Sequence, residues 1–237
     1  MATIDLNADL GEEVTDDAAL LAVVTSANVA CGYHAGTPAI MRAVCAEAAA
    51  REVAIGAQVS YADRAGFGRE RRDVPFEVLR EQVAHQVGVL AEIAGECGTA
   101  VRYLKPHGAL YHRVLEDEEQ AAAVLDGSVL HGVGLPVLGM PGGLLTWAAG
   151  AGRAVFHEGF PDRGYTPEGR LVPRGEPGAL VEDEAGIVAQ ALALAARTGT
   201  ERLDSLCLHG DSPGAVAHAV AVRSALTGAG HTLGSFV

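Results

Sequence analysis

Polar and apolar residues alternate from the start of the chain. Ile4, Leu6, Ala8 and Leu10 fall on one face of an extended segment, and Asp5, Asn7 and Asp9 on the other. That period of two is the mark of a β-strand. Two readings stay open for it: a solvated outer face, or two carboxylates and an amide aimed into a polar pocket, with Glu12 just past the end. Further short strands are predicted from residue 26, ending in small residues and His34, and over 53–59, ending at Gln58 and Ser60. The strand from Val101 stops where Pro106 forbids a continued ladder. Period two puts its Tyr103, Lys105 and His107 on one face, either as an exposed polar edge or as part of a site. An apolar strand over 135–141, one over 153–160 carrying Glu158, and one over 205–211 ending at His209 and Asp211 complete the series.

Helical periodicity fills the gaps. A short helix is predicted over 16–24, and Thr37 followed by Pro38 caps one that runs to about Arg51. Behind Pro75, the residues Phe76, Leu79, Val83, Val87, Leu90 and Ala94 recur at spacings of three and four, marking one buried stripe. His85 lies off that stripe and reads as a surface residue. Helices are also expected over 116–130, with acids at the start as the helix dipole favours, over 144–149, over 183–196, and from Pro213 to about Gly228. Two segments break the pattern. Residues 61–69 form a glycine-rich loop with Asp63, Arg64 and Arg69, longer than a plain connector. Asp162, Arg163, Gly164 and Tyr165 lead into a Gly/Pro-rich stretch to Gly178, which reads as an ordered excursion over the mouth of the sheet.

About seven strand-then-helix repeats predict a parallel sheet covered by helices, an α/β fold in one domain over residues 1–237. Strand ends carry Asp9, His34, His107, Glu158 and His209, with Gln58 at a sixth. In such folds sites are built at the C-terminal ends of strands. Polar ends spread along the whole chain, rather than gathered at one switch point, favour a closed (β/α) barrel over an open sheet.

Composition narrows the chemistry. Seventeen basic against 30 acidic residues give a net charge of −13, a field that repels nucleic acid and anionic membranes. A small anionic substrate is compatible with local cations. Cys31, Cys45, Cys97 and Cys207 have no CxxC spacing, so reduced thiols in a cytoplasmic protein are expected. Neither a signal sequence nor an apolar run of membrane-spanning length is evident. The GxGxxG, GxxxxGK[ST] and GxSxG patterns are absent. His34, His107 and His209, with a carboxylate, would suffice for a first-row metal. The same residues serve equally well as general acids and bases.

Taken together, residues 5–12, 26–36, 104–111 and 208–214 resemble the LamB/YcsF family, with Gly66-Phe67-Gly68-Arg69 and Phe160-Pro161-Asp162-Arg163-Gly164-Tyr165 also matching. The resemblance spans nearly the whole chain in the right order. It implies an irregular (β/α) barrel of about seven parallel strands, of the glycoside hydrolase/deacetylase type. It further implies cleavage of the lactam of 5-oxo-L-proline to L-glutamate as the first of three components of an ATP-dependent 5-oxoprolinase. Partner subunits B and C, and ATP with Mg as co-substrate, come with that reading; self-association and a protein-bound metal stay open. Under it Lys105 or Arg163 would pair with a substrate carboxylate or phosphate. His107 or His209 would move protons, Asp9 or Glu158 would orient a water or a histidine, and Asp162 would fix Arg163. Asn7, Glu12, His34, Asp63, Arg69 and Asp211 complete the expected binding set. Three departures stand out: Glu13-Val14-Thr15-Asp16 replaces a longer loop, Gln58-Val59-Ser60 replaces a His-Pro-Gly run, and 118–140 is shortened. The alternatives are a stand-alone metal-dependent deacetylase or amidohydrolase, and a non-catalytic regulatory component that binds the lactam.

Overall fold

Seven parallel strands close on themselves among the described residues, which in this computed structural model are 3–210 and 214–237. In chain order the elements begin β1 (Thr3–Leu10), α1 (Asp17–Leu21), β2 (Ser26–Ala30), α2 (Pro38–Ala50), β3 (Ala54–Val59) and α3 (Phe76–Glu96). Next come β4 (Val101–Pro106), α4 (Gly108–Arg113), α5 (Glu118–Gly127), β5 (Val129–Leu130), β6 (Val133–Gly134) and β7 (Val137–Gly139). The chain finishes with α6 (Gly143–Gly150), β8 (Val155–Gly159), α7 (Glu184–Ala195), β9 (Ser205–Leu208), α8 (Ala215–Gly228) and β10 (Thr232–Leu233). The barrel order is β1-β2-β3-β4-β7-β8-β9, closed by pairing of β9 with β1, while β10 adds to the start of β1. No helix among the described residues is long and apolar enough to cross a membrane.

Closure settles which face of β1 is which. Ile4, Leu6, Ala8 and Leu10 point out into the apolar layer under the helices, together with Val29, Ile55, Ala57, Leu104 and Leu206. Asp5, Asn7 and Asp9 point inward and are buried, so the solvated-face reading of this strand is excluded. Parallel register stacks the inward residues in layers, as barrels do. Glu158 and Ser205 share a layer with Asp5. Asp9, Asn28, Gly56 and Tyr103 form another, and Gln58 and Lys105 the next. This interior is polar where barrel cores are usually branched aliphatic, so every inward group needs a partner. Gly56 makes room for it: a Cβ there would lie 2.2 Å from the Tyr103 ring. The Tyr103 hydroxyl donates to Asn28 Oδ1 at 2.7 Å. At the N-terminal ends of the strands Phe236 lies against Tyr103 and Phe156, with centroids 4.9 and 4.8 Å away.

The helices follow their signals, with two exceptions. Thr37 caps α2 by accepting from Ile40, and Asp117 caps α5 by accepting from Gln120. Along α3, Leu79, Val83, Val87, Leu90 and Ala94 are buried as the stripe predicts, and His85 is exposed. Buried Gln86 on the same helix receives Ser60 N–H and donates to Ser60 C=O, pinning the end of β3. The helix predicted over 116–130 ends at Gly127 instead. Gly127 packs against α3 so closely that a Cβ would meet Arg80 C=O at 2.5 Å. Beyond it β5 and β6 form a hairpin whose two turn residues, His131 and Gly132, both have positive φ, the primed geometry that matches strand twist. The second exception is α4, a six-residue helix directly after β4, where periodicity predicts none.

Candidate active site

The inward residues at the C-terminal strand ends divide into three groups. At the centre is Lys105, which is the only lysine in the chain and just 3% exposed. Its Nζ pairs with Glu158 Oε2 at 2.9 Å and Asp9 Oδ1 at 3.3 Å, and touches Cys207 Sγ at 3.0 Å and Asn7 Oδ1 at 3.4 Å. Burial opposes its charge, but Asp9, Cys207 and Glu158 outweigh it and hold the ammonium's pKa well above the usual range. Asp9 is pushed up by burial and pulled down further by Lys105, His209 and the Asn28 amide, so it is ionised. Each carboxylate is itself held. Asn28 Nδ2 donates to Asp9 Oδ1 at 2.9 Å, and the Tyr111 hydroxyl donates to Glu158 Oε1 at 2.9 Å while accepting from Met140 N–H. Burying charges is tolerable only with partners of this kind.

The second group is His209 with Asp162. His209 Nδ1 lies 3.0 and 3.1 Å from the two carboxylate oxygens, and its backbone N–H donates to Asp162 Oδ2. That partner assigns a proton to Nδ1. Burial lowers the imidazole pKa, but Asp162 more than compensates and raises it above the ordinary value. Phe160 stacks on the ring at 5.4 Å.

The third group is built differently. His34 Nε2 and His107 Nε2 stand 3.6 and 3.5 Å from the same oxygen, Glu12 Oε1, beyond hydrogen-bonding distance. The two imidazoles stack with centroids 4.0 Å apart, and Phe67 meets both edge-on. Gln58 Nε2 donates to Glu12 Oε1 at 3.0 Å. Both nitrogens of His34, His107 Nδ1, Gln58 Oε1 and Ser60 Oγ are buried without a hydrogen-bond partner. Each such orphan costs about 1–3 kcal/mol, so their concentration in one place is unfavourable. Burial lifts the Glu12 carboxyl pKa, while burial and then His34 and Arg69 push His107 well below the usual range. The loop over 61–69 closes this end. Ala109 N–H donates to Gly68 C=O, and a Cβ on Gly108 would lie 2.3 Å from that oxygen.

A cavity of about 420 Å³ opens onto Asp9, Lys105, His107, Tyr111, Phe160 and His209. Arg69, Arg163, Arg174 and His112 also line it, and Asp9 is its only acid among the described residues. A cavity rich in cations therefore sits in a chain of net charge −13. A wider groove of about 1430 Å³ adjoins it past His112 and reaches Glu158, but not Lys105, His107 or His209. The smaller cavity is the candidate site.

The LamB/YcsF family model matches residues 4–237. The chain belongs to the LamB/YcsF family. It is 54% identical to the A subunit of 5-oxoprolinase from Streptomyces coelicolor, covering 98% of this chain and 99% of that one. It is similar to the solved lactam utilization protein from Thermus thermophilus, with 35% identity, a TM-score of 0.90 and full coverage of both chains. A T48 deacetylase solved with substrate is 15% identical with a TM-score of 0.50 over 99% of this chain and 87% of that one. That likeness bears on the fold alone, and supports the expected deacetylase-type barrel.

In this LamB/YcsF barrel the expected site residues do not all converge. Asp9, Lys105, His107, Glu158 and His209 do, with Asn7 beneath them. Asp162 grips His209 rather than Arg163, because its carboxylate faces the end of β9. Arg163 Nε and Nη2 donate to the Ala179 and Val172 carbonyls, tying down the Gly/Pro-rich excursion. Leu171, Pro173 and Arg174 of that excursion line the cavity, as expected of a segment over the barrel mouth. Asp63 accepts from Gly66 and Glu70 N–H and from Arg72, so it organises its own loop instead of facing the cavity. Among the described residues, the cluster whose atoms lie close enough to hold a metal is Glu12, His34 and His107. His209 sits on Asp162 and takes no part in it. Asp211 lies outside the described residues. Tyr103 shares the inward face of Lys105, as period two expects, whereas Asn28 and Cys207 join the site without having been expected there. Their signal was also period two, since Asn28 alternates with Ser26 and Cys207 with His209.

Proposed function

We propose that this chain is the A subunit of a 5-oxoprolinase and that the 420 Å³ cavity is where the lactam of 5-oxo-L-proline opens to L-glutamate. The observation that carries the assignment to this cavity is Lys105, a fully partnered buried cation at a pocket with otherwise cationic lining. Support for the activity comes from near-full-length relatives bearing that name.

A lactam resists hydrolysis because its oxygen must take up charge and its nitrogen must leave protonated. Lys105 offers a fixed positive charge to the lactam oxygen or to a phosphoryl group placed on it, pre-organised by Asp9 and Glu158. Water attacks the carbonyl carbon, the C–N bond breaks, and the departing nitrogen takes a proton. His209 is suited to deliver that proton from Nε2, since Asp162 holds Nδ1 and keeps the ring protonated to higher pH. Arg69 and Arg174 at the cavity wall favour the substrate carboxylate. Phosphorylation of the lactam oxygen by ATP with Mg would activate the carbonyl carbon toward the attacking water. Loss of the nitrogen then leaves the side-chain acyl phosphate of glutamate, which a second water splits into glutamate and phosphate. The chain has no P-loop pattern, and the nucleotide site lies either on this chain in another form or on B or C. A stand-alone deacetylase would rest on fold likeness alone.

The test is reconstitution with candidate B and C subunits, measuring glutamate and ADP formed from 5-oxoproline. Wild-type chain should support coupled turnover and Lys105→Met should not, with circular dichroism confirming that the variant is folded. Near-normal glutamate formation by folded Lys105→Met would overturn the role given to Lys105. Absence of turnover with every partner pair would count against the activity itself.

A further inference from the structure

We infer that Glu12, His34 and His107 bind one divalent transition-metal ion of the Zn, Co or Mn class, at the edge of the cavity that His107 lines. Three observations converge. First, the candidate ligand atoms all lie within 4.8 Å of one another and all three residues are buried. Their separations of 3.5 and 3.6 Å are too long for hydrogen bonds. They are close to the ~3.4 Å expected between two atoms each ~2.1 Å from a shared tetrahedral ion. Second, unpartnered buried atoms gather here: both nitrogens of His34, His107 Nδ1 and Gln58 Oε1. An ion at the centre satisfies His34 Nε2 and makes sense of two imidazoles that face one carboxylate oxygen without bonding to it. Third, the surroundings hold the ligands in place. Gln58 donates to Glu12 Oε1, and Phe67 packs edge-on against both rings. Outer-shell support of this kind is what sets ligand orientation.

Two imidazoles with one carboxylate suit a borderline first-row cation, whereas Mg²⁺ prefers oxygen ligands and retained water. The ion inferred here is thus distinct from the Mg that accompanies ATP. Bound there, it would supply a Lewis acid at the edge of the cavity. His107 becomes a ligand, which leaves His209 as the proton carrier.

Metal binding can be read on the full chain alone, without B, C, ATP or 5-oxoproline, so its failure and the failure of the oxoprolinase reading are separable. Chelator-stripped protein is titrated with Zn²⁺ by calorimetry, and with Co²⁺ by visible absorption. One ion per chain is expected for both, undisplaced by millimolar Mg²⁺, with Co²⁺ bands of nitrogen and oxygen ligation. Glu12→Gln and His34→Ala should each weaken binding at least about 100-fold, beyond the 10–100-fold typical of outer-shell changes. The exposed His85→Ala should bind as wild type does. Circular dichroism and urea unfolding establish that the variants are folded. If either site variant misfolds, the Gln58→Ala chain, expected to lose about 10–100-fold, takes its place. Stoichiometry below one in the wild type, or unchanged affinity in folded Glu12→Gln and His34→Ala, overturns the inference.

Discussion

Two buried polar clusters lie side by side at the strand ends, and they are completed in different ways. Around Lys105 the buried charges face one another: Asp9 and Glu158 both pair with the ammonium, the Asn28 amide donates to Asp9 and the Tyr111 hydroxyl donates to Glu158. Around Glu12 the imidazoles of His34 and His107 face one oxygen at non-bonding distances and leave nitrogens without partners. The first cluster is held together by groups of the chain itself. The second is a set of donor atoms awaiting an acceptor from outside the chain. A barrel with a polar interior can hold both, because the helix-covered outer faces of its strands supply the hydrophobic burial.

The sharpest way to break this contrast is at Lys105. Removing it should abolish coupled turnover, by about 10³-fold or more. It should also lower stability by about 3–5 kcal/mol, since Asp9 and Glu158 are left buried without their cation. Urea unfolding of Lys105→Met against Lys105→Met/Glu158→Gln checks the second part: the double variant should recover some of the loss. A single variant as stable as wild type would mean the cluster is not the tightly coupled unit described.

His209 offers the next largest effect. His209→Ala should slow turnover by about 10²–10⁴-fold. The milder Asp162→Asn should move the basic limb of the pH profile of kcat/KM to lower pH, because Asp162 raises the His209 pKa and the ring must be protonated to act. A basic limb that stays in place would remove His209 from the proton-transfer step.

Asp5 lies in the closed interior below both clusters. Burial raises its pKa to about 6 from 3.8, despite hydroxyl donors from Ser205, Thr25 and Ser26. The folded state therefore holds a proton that the unfolded chain has released between those values, and stability falls as pH rises through that window. The loss amounts to at most about 3 kcal/mol. Asp5→Asn should flatten this part of the profile, read as the difference from wild type in urea unfolding at pH 4 and pH 7. An identical slope in the two proteins would show that Asp5 is not the group responsible.

The smallest effect should fall on the second cluster without metal. His34→Leu removes unpartnered nitrogens and keeps the volume, so the stripped protein should stay within about 1 kcal/mol of wild type. The corresponding apolar replacement at Asp9 should be far more damaging. Equal losses at His34 and Asp9 would erase the difference between the clusters.

Much of this barrel is legible in the chain because its local rules agree with one another. The alternation from Ile4 to Leu10, the Thr37-Pro38 cap and the stripe through α3 each reflect a periodicity or a capping hydrogen bond set within a few residues. The hairpin after α5 is harder to read, because the first of its two positive-φ positions is filled by His131, a residue with little turn signal of its own. Strand-end positions of Asp9, Lys105, His107, Glu158 and His209 are also readable, since period two and chain direction suffice. Partnership is not. Asp162 neighbours Arg163 in sequence yet binds His209, 47 residues away, because the strand end turns its carboxylate toward β9. Glu12 reaches His34 and His107 because β1, β2 and β4 are brought round one barrel mouth.

Local spacing alone carries the βα rhythm, the apolar faces, the ionisable strand ends and the family resemblance. It does not carry the inward aim of the polar face of β1, the enclosure of Lys105 by Asp9 and Glu158, or the meeting of Glu12 with two histidines. Those follow from closure of the barrel, which sets Asp9 against Cys207 across 198 residues. No local periodicity encodes which strand will complete the ring.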